Sequence, residues 1–199
     1  TCLRRPKQGD EVHLKAGTYH GTAPLPLPAG VRLIGTECVT LQQDGEGPIL
    51  TVTGSDCQLS KISFSSTREG QICVQITYAE RVLVSECLYD GGGVARASIF
   101  IERSQQITIQ SCTATGFSND IVLVSSHGEV VGNRCHDNTQ AGIVFSRSTG
   151  RVEADKCWGN LLNAISADNG SEVVVQDHRT SPSRSLEELR SSRLLLHPL

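Results

Sequence analysis

The segment NRCHDNTQ, residues 133–140, contains the densest group of side chains that could perform chemistry. Cys135, His136 and Asp137 are consecutive, and a thiol, an imidazole and a carboxylate are the groups that nucleophilic and metal sites use. The alternative is that these residues belong to one unit of a repeat, in which neighbouring side chains point to opposite sides of a strand. The repeat pattern of the chain decides between the two.

Four segments share a pattern in which an apolar pair, a polar patch, a cysteine and a turn rich in Gly, Asn or Asp follow one another. They are VLVSECLYDG (82–91), ITIQSCTATG (107–116), VVGNRCHDNT (130–139) and VEADKCWGNL (152–161). Phe64 occupies the cysteine position in an earlier copy, His178 occupies it in a last copy, and these anchors recur every 21–25 residues. A second short strand rich in Ile and Val precedes each anchor. This period is typical of a coil of parallel strands.

We therefore predict an all-β fold, a single-stranded right-handed parallel β-helix of about seven coils over residues 1–177. Residues 178–199 are predicted to form a linker and a short C-terminal capping helix. Ser185 and Glu188 match the S-x-x-E capping box, and Leu186, Leu189 and Leu196 lie near one helical face. A helix at this position would cover the open end of the last coil.

The repeat favours a structural role for Cys135, His136 and Asp137. Cys135 is expected in one inward cysteine column with Cys87, Cys112 and Cys157. Asn138 is expected to pair with Asn160 in a turn column that also contains Asp90, since Asn and Asp side chains bond to turn backbones.

Composition excludes several classes of function. The net charge is −3 and the Lys and Arg residues are scattered, so no basic nucleic-acid footprint is present. No apolar run approaches the length of about 18 residues that a membrane span needs, and no metal site or cofactor is predicted. Stacked strands lie about 4.8 Å apart, whereas Cβ atoms of a disulfide lie about 3.8 Å apart. The column cysteines are therefore expected to be reduced, which leans toward an intracellular compartment.

The chain resembles the pectate-lyase-like superfamily of right-handed parallel β-helices over roughly residues 9–177. The resemblance rests on GDEVHLKAGTYHG (9–21), VRLIG (31–35), LSKISF (59–64) and GNRCHDNTQAGIVF (132–145). It implies the fold of carbohydrate-binding proteins and sugar hydrolases, which also occurs in intracellular interaction proteins, including some F-box proteins.

The catalytic motifs of the superfamily are absent from this sequence. A polygalacturonase-like site would show an Asp-Asp pair and Gly-His-Gly, an epimerase-like site would show Asp-Pro-His, and a lyase-like site would show clustered carboxylates for calcium near an arginine. Since none of these is found, the resemblance supplies no catalytic residue.

The strand before each cysteine predicts a binding flank. If the residues 13 and 11 positions before each anchor point inward, alternation turns their neighbours outward. Five outward residues are then the candidate ligand-binding residues: Phe100, Glu102, Phe145, Arg147 and Asp168. Aromatic rings suit the C–H faces of sugars, and exposed apolar stripes rimmed by polar groups usually mark binding sites.

Alternatives remain for this flank and for the function. The flank would also be explained by cover from the C-terminal helix, by a homo-oligomer formed through it, or by a shifted register that buries Phe100 and Phe145. The favoured function is a non-catalytic β-helix repeat domain that binds an extended polysaccharide or a protein partner. One alternative is a polysaccharide lyase or glycoside hydrolase with an atypical site built from Glu102, Arg147 and Asp168. Another is a structural module of a larger protein.

Overall fold

The computed structural model describes residues 6–181 and 193–196, in which short parallel strands wind into about eight coils. Each coil contributes a strand to each of three faces, and each strand is hydrogen-bonded to its counterpart in the next coil. No helix occurs in these residues. The all-β class and the parallel coil are confirmed, with about eight coils in place of the predicted seven.

The three faces follow one another along the chain. Face 1 consists of Glu11–Leu14, Arg32–Gly35, Gln58–Ser60, Glu80–Ser85, Gln105–Gln110, His127–Val131, Thr149–Glu153, Glu172–Gln176 and Arg193–Leu196. Face 2 consists of Gly17–Gly21, Val39–Gln43, Ser63–Ser65, Arg134–His136, Lys156–Trp158, Arg179–Ser181 and the first parts of Leu88–Glu102 and Thr113–Val124. Face 3 consists of Leu25–Leu27, Leu50–Val52, Ile72–Thr77, Ala141–Ser146, Ile165–Asp168 and the last parts of the same two long strands.

The core is a continuous column of apolar side chains inside the coil. Val, Ile and Leu from all three faces fill it, together with the fully buried rings of Phe64, Phe117 and Phe145. The rings of Phe64 and Tyr89, on neighbouring coils, stack with centroids 5.1 Å apart. No coil could bury its apolar side alone, so each coil is stabilised by its two neighbours.

The four cysteines predicted to share one column form two short columns instead. Cys87 and Cys112 lie at the start of face 2 in neighbouring coils. Asn133 takes the same position in the next coil, and its Oδ1 accepts the backbone N–H of Cys112 at 2.9 Å. Cys135 and Cys157 lie two residues later, in the column of Ala114. The prediction of a single cysteine column is therefore wrong. All four thiols are nevertheless buried and free of disulfides.

Polar ladders hold the turns in register. At the turn from face 2 to face 3, Asn138 Nδ2 donates to Asn160 Oδ1 at 2.7 Å, and Asn138 Oδ1 accepts the backbone N–H of Phe117 at 2.9 Å. The predicted Asn pair is confirmed, but Asp90 lies outside it, on the outer surface of face 2. At the turn from face 3 to face 1, each serine Oγ accepts a backbone N–H of the preceding coil at 3.1–3.2 Å; the ladder is Ser104, Ser126, Ser148 and Ser171.

The same turn carries one left-handed residue in successive coils. These are Tyr78, Arg103, Ser125, Arg147 and Asn169, with φ between 48° and 53°. The turn also differs in length between coils. Ile101 and Ile107 are six residues apart, whereas their partners Leu123 and Gly128 are five apart. The additional residue is Gln106, whose positive φ of 56° marks a bulge.

The coil continues past residue 177. Arg179–Ser181 pairs with Lys156–Trp158 on face 2, and Arg193–Leu196 pairs with Glu172–Gln176 on face 1. Of the helix predicted within 185–199, the structure describes only residues 193–196, and these form a strand; for them the prediction is wrong. The rest of that segment lies outside the described residues.

Candidate functional site

The orientation of face 3 determines which side chains reach the surface. Val74, Ile76, Ile99 and Ile101 point inward, as predicted. In the next two coils the prediction is wrong, because the inward residues are Ile121, Leu123, Ile143 and Phe145. The predicted inward residues of these coils, Val122, Val124, Val144 and Ser146, are partly exposed on the outer side.

A one-residue shift explains this difference. Cys135 lies two residues later in its coil than Cys112 does, and its coil lacks a counterpart of Gln106. The later anchor lengthens the distance from the face-3 strand to the cysteine by two residues, and the shorter turn reduces it by one. The net shift is one residue, which exchanges the two sides of a strand.

The five predicted site residues occupy three kinds of position. Phe100, Glu102 and Asp168 are partly exposed on the outer side of face 3, and Arg147 is exposed in the adjoining turn. Phe145 is 0% exposed and belongs to the core. Its place in the binding flank is therefore a wrong prediction, since no ligand on the surface can reach it.

Glu102 and Asp168 do not form a catalytic pair. They lie in one outward column but three coils apart, which is about 14 Å at the usual strand spacing. Paired carboxylates of glycosidases lie about 5–9.5 Å apart. The side chains of Arg147 and Asp168 form no ion pair either. The two residues are joined through their backbones, where the Arg147 N–H donates to the Asp168 carbonyl at 3.3 Å.

A cleft of about 390 Å³ opens beside Phe100, at the corner where face 2 turns into face 3. Two loops, residues 44–48 and 67–71, form its walls, and Gln75 forms part of its base. The guanidinium carbon of Arg96 lies 4.9 Å from the centroid of the Phe100 ring, within the range of a cation–π contact. Gln75, which lines the cleft, and Phe100 are register partners on neighbouring coils, so the cleft adjoins the outer side of face 3.

Hydrogen bonds tie the two loops together. Gln71 is buried, accepts the Ser66 hydroxyl at 2.7 Å, and donates through Nε2 to the Gly47 carbonyl at 3.2 Å. Arg68 Nη1 donates to the Asp44 carbonyl at 2.6 Å and also to that of Gly45. The walls of the cleft are therefore preorganised, which lowers the ordering cost of binding.

The charges around the cleft are balanced. Arg68 and Arg96 are matched by Glu46 and Glu69, and all four side chains are exposed. Such a lining offers hydrogen-bond donors and acceptors without a strong preference for a charged ligand. Sequence reasoning missed the cleft residues, although the glycine-rich stretches DGEGP (44–48) and TREGQ (67–71) signal loops between strands.

A second cleft, of about 300 Å³, lies on face 1. It is lined in part by His127, Glu129, Arg151 and Glu172. His127 Nδ1 lies 2.8 Å from the Thr149 hydroxyl, and Arg151 pairs with Glu153 and donates to Gln176 Oε1 at 3.0 Å. This cleft combines an imidazole, carboxylates and a guanidinium.

The cysteine, histidine and aspartate of residues 135–137 do not converge. Cys135 is buried, His136 lies on the outer side of face 2, and Asp137 occupies the turn with φ of 56°. His136 Nδ1 lies 2.8 Å from Asp137 Oδ2. These positions support the structural role that the repeat predicts for Cys135, His136 and Asp137. No group of three or more metal-ligating side chains occurs in residues 6–181 and 193–196, and no helix there is long and apolar enough to cross a membrane.

The parallel three-faced coil defines the class of protein as a β-helix. A family model described as "right handed beta helix region" matches residues 37–179. The chain therefore belongs to the right-handed β-helix family, as the resemblance implied. No curated protein sequence matches the chain significantly.

Solved structures share the fold at low sequence identity. The chain is similar to the major cedar pollen allergen Jun a 1, with TM-score 0.66, 10% identity, and coverage of 94% of this chain and 68% of that one. It is similar to ORF18 of Geobacillus virus E2, with TM-score 0.63, 13% identity, and coverage of 86% and 40%; the chain thus spans less than half of that protein. Pectin methylesterase from Yersinia enterocolitica matches with TM-score 0.53, 9% identity, and coverage of 97% and 91%.

Proposed function

We propose that the chain is a non-catalytic β-helix repeat domain that binds an extended oligo- or polysaccharide at the cleft beside Phe100 and along the outer side of face 3. The observation that carries this proposal is that Arg96 and Gln75 line the cleft of about 390 Å³ and also adjoin the partly exposed Phe100 ring. The Phe100 ring and the Arg96 guanidinium that lies over it together offer an apolar edge and hydrogen-bond donors. The balanced charges of the cleft suit hydroxyl groups.

The position of Phe100 supports a ligand that runs along the coil axis. Successive rungs of its column carry Gln75, Phe100, Val122, Val144 and Ser166. Each rung adds about 4.8 Å, so an elongated ligand would meet the column over several coils. A protein partner with an apolar ridge is the alternative occupant of the same surface.

A glycan array followed by calorimetric titration of the best ligand tests this proposal. Phe100→Ser should weaken binding about tenfold, equivalent to about 1.4 kcal/mol, and leave the melting temperature nearly unchanged. Leu83→Ser is the matched control, because Leu83 is a partly exposed apolar residue on the outer side of face 1, away from the proposed ligand. Absence of any glycan ligand, or equal weakening by both substitutions, would contradict the proposal.

A second candidate function, a carbohydrate-active enzyme, is favoured by the cleft on face 1. His127 and Glu129 there are groups suited to proton transfer. A reducing-end assay on neutral and acidic polysaccharides tests for this activity. If it is present, Glu129→Gln should abolish it while Phe100→Ser leaves turnover intact; loss on neither substitution would exclude this cleft as the site.

A further inference from the structure

The outer side of face 2 carries a row of three cations on successive coils. Arg134 is the register partner of Lys156, and Lys156 is the register partner of Arg179. All three are exposed, and neighbouring rungs are about 4.8 Å apart. None of the three is joined by an ion pair to a carboxylate within the part of the chain that the structure describes.

This row concentrates positive charge on a chain whose net charge is −3. Like charges stacked on neighbouring rungs repel one another, which is unfavourable unless a counter-charge is supplied. The nearest acids by register are Asp177, two residues before Arg179, and Asp137, whose carboxylate is bound to His136. Neither of them is paired with the row.

An aromatic stack lies directly beside the cations. His136 and Trp158 occupy the adjacent outward column, with ring centroids 4.3 Å apart and an angle of 9° between their planes. The same column carries Thr115 on the preceding rung. Stacked in this way along the coil axis, the two rings expose their edges, and the partly exposed indole can offer its N–H as a donor.

Exposed apolar side chains border the same surface. Leu161 and Leu162, three and four residues after Trp158, are 65% and 52% exposed, and Leu88, two rungs before Arg134, is 55% exposed. Arginine and tryptophan are enriched among the residues that dominate protein–protein binding energy. Leucine side chains find complementary partners on a protein rather than on a hydroxyl-rich glycan.

From this juxtaposition we infer that the face-2 surface formed by Arg134, Lys156, Arg179, His136 and Trp158 docks an acidic, leucine-containing segment of another protein. The carboxylates of the segment pair with the cation row, and its apolar side chains pack against the aromatic stack and the bordering leucines. The site is separate from the cleft beside Phe100, so the chain presents two distinct binding surfaces.

Trp158 is the single tryptophan of the chain, so its fluorescence reports on this surface alone. The probe is a synthetic peptide of repeated Glu-Glu-Leu triplets, with Lys-Lys-Leu repeats and oligogalacturonate as the comparison ligands. The acidic peptide should shift the Trp158 emission in a saturable way. Its affinity should fall as salt rises, because exposed charge pairs are screened beyond about 10 Å at 0.1 M ionic strength.

Charge-removing variants identify the surface responsible. The triple variant Arg134→Gln, Lys156→Gln, Arg179→Gln should weaken peptide binding about tenfold or more, as expected for the loss of three exposed ion pairs. Lys15→Gln, at the opposite end of the coil, and Phe100→Ser should leave it unchanged. The inference is overturned if the peptide causes no shift, if the triple variant binds as tightly as the wild type, or if oligogalacturonate shifts the emission and the acidic peptide does not.

Discussion

At the scale of single residues, one buried acid and one largely buried base occupy neighbouring rungs of the same column. Asp155 Oδ1 accepts the backbone N–H of Asn133 at 2.6 Å, whereas its Oδ2 and both ring nitrogens of His178 are without hydrogen-bond partners. Burial raises the pKa of Asp155 to about 7 and lowers the pKa of His178 to about 4. Both residues are therefore neutral in the folded protein at mildly acidic pH.

The two shifts predict opposite pH dependences of stability. Unfolded Asp155 releases its proton near pH 3.8, whereas the folded protein keeps it up to about pH 7; the free energy of unfolding therefore decreases as pH rises through this window. Unfolded His178 binds a proton below about pH 6.5, whereas the folded protein resists protonation down to about pH 4. Its contribution is therefore lost as pH falls through that window, so the two effects oppose each other between pH 4 and 6.5.

Single substitutions separate the two effects. Relative to the wild type, Asp155→Asn should gain stability as pH rises from 4 to 7, by on the order of 3 kcal/mol. His178→Gln should gain stability as pH falls from 6.5 to 4, by a similar amount. Urea unfolding at successive pH values measures both, and curves that run parallel to the wild type for either variant would contradict the assignment.

The residues of the candidate site were only partly predictable from the sequence. The alternation of apolar side chains correctly placed Phe100 and Glu102 outward. The inward residues of their strand precede Cys112 by the same number of residues as those of the preceding coil precede Cys87. Phe145 was misplaced because its coil lacks a counterpart of Gln106, so the turn between Phe145 and the next strand is one residue shorter. The displacement of its anchor Cys157 by two residues would by itself have kept Phe145 on the same side of the strand. A side-chain type recurring at nearly constant spacing does not reveal a shift of two residues that leaves it buried in both positions.

At the scale of elements, the strands are joined by ladders of side chains that satisfy backbone groups of the neighbouring coil. The Asn138 side chain bonds to three other residues. It accepts the Phe117 N–H and donates to the buried carboxylate of Asp120 at 2.6 Å and to Asn160. Burial raises the pKa of Asp120. Without Asn138, the buried carboxyl group would lose the hydrogen bond that this side chain donates to it.

Asn138→Ala should therefore destabilise the protein by about 2–3 kcal/mol, because it leaves a buried N–H and buried oxygens without partners. Asn163→Ala, in the turn of the following coil, is the matched control and should change stability by less than about 0.5 kcal/mol. Thermal unfolding of the two variants measures the difference. Equal effects would show that the ladder adds nothing beyond ordinary turn structure.

The strands themselves were predictable and the turns were not. Short runs of Ile and Val between Gly, Asn and Ser identify the strands of faces 1 and 3 because alternation is tied to burial. The serine ladder was missed because an isolated Ser in a turn is ordinary on a surface as well. Only the repetition of Ser104, Ser126 and Ser148 at one position, visible once the coils are aligned by register, distinguishes it.

At the scale of the whole molecule, stability depends on the two ends, because each coil is bonded only to its neighbours. The strand Arg193–Leu196 pairs with Glu172–Gln176 and so covers the last edge of face 1 in the described part of the chain. Deleting residues 185–199 exposes the backbone groups of that edge. The truncated protein should melt at a lower temperature and self-associate, as exposed edge strands do.

Analytical ultracentrifugation and thermal unfolding measure these changes. Removal of residues 197–199 alone is the control, since it leaves the pairing strand in place. A truncated protein that stays monomeric with an unchanged melting temperature would show that the segment does not protect the end of the coil.

The turn from face 3 to face 1 has a further consequence for engineering. It is one residue longer at Gln106 than in the coil that contains His127, yet the inward columns on both sides stay aligned. The turn thus absorbs a change of chain length locally and isolates the core from it. Foreign loops grafted between His127 and Gly128, the position at which Gln106 is the additional residue in the preceding coil, should be accommodated in the same way, because they leave the ladder serine Ser126 in place. This corner is therefore a candidate display site.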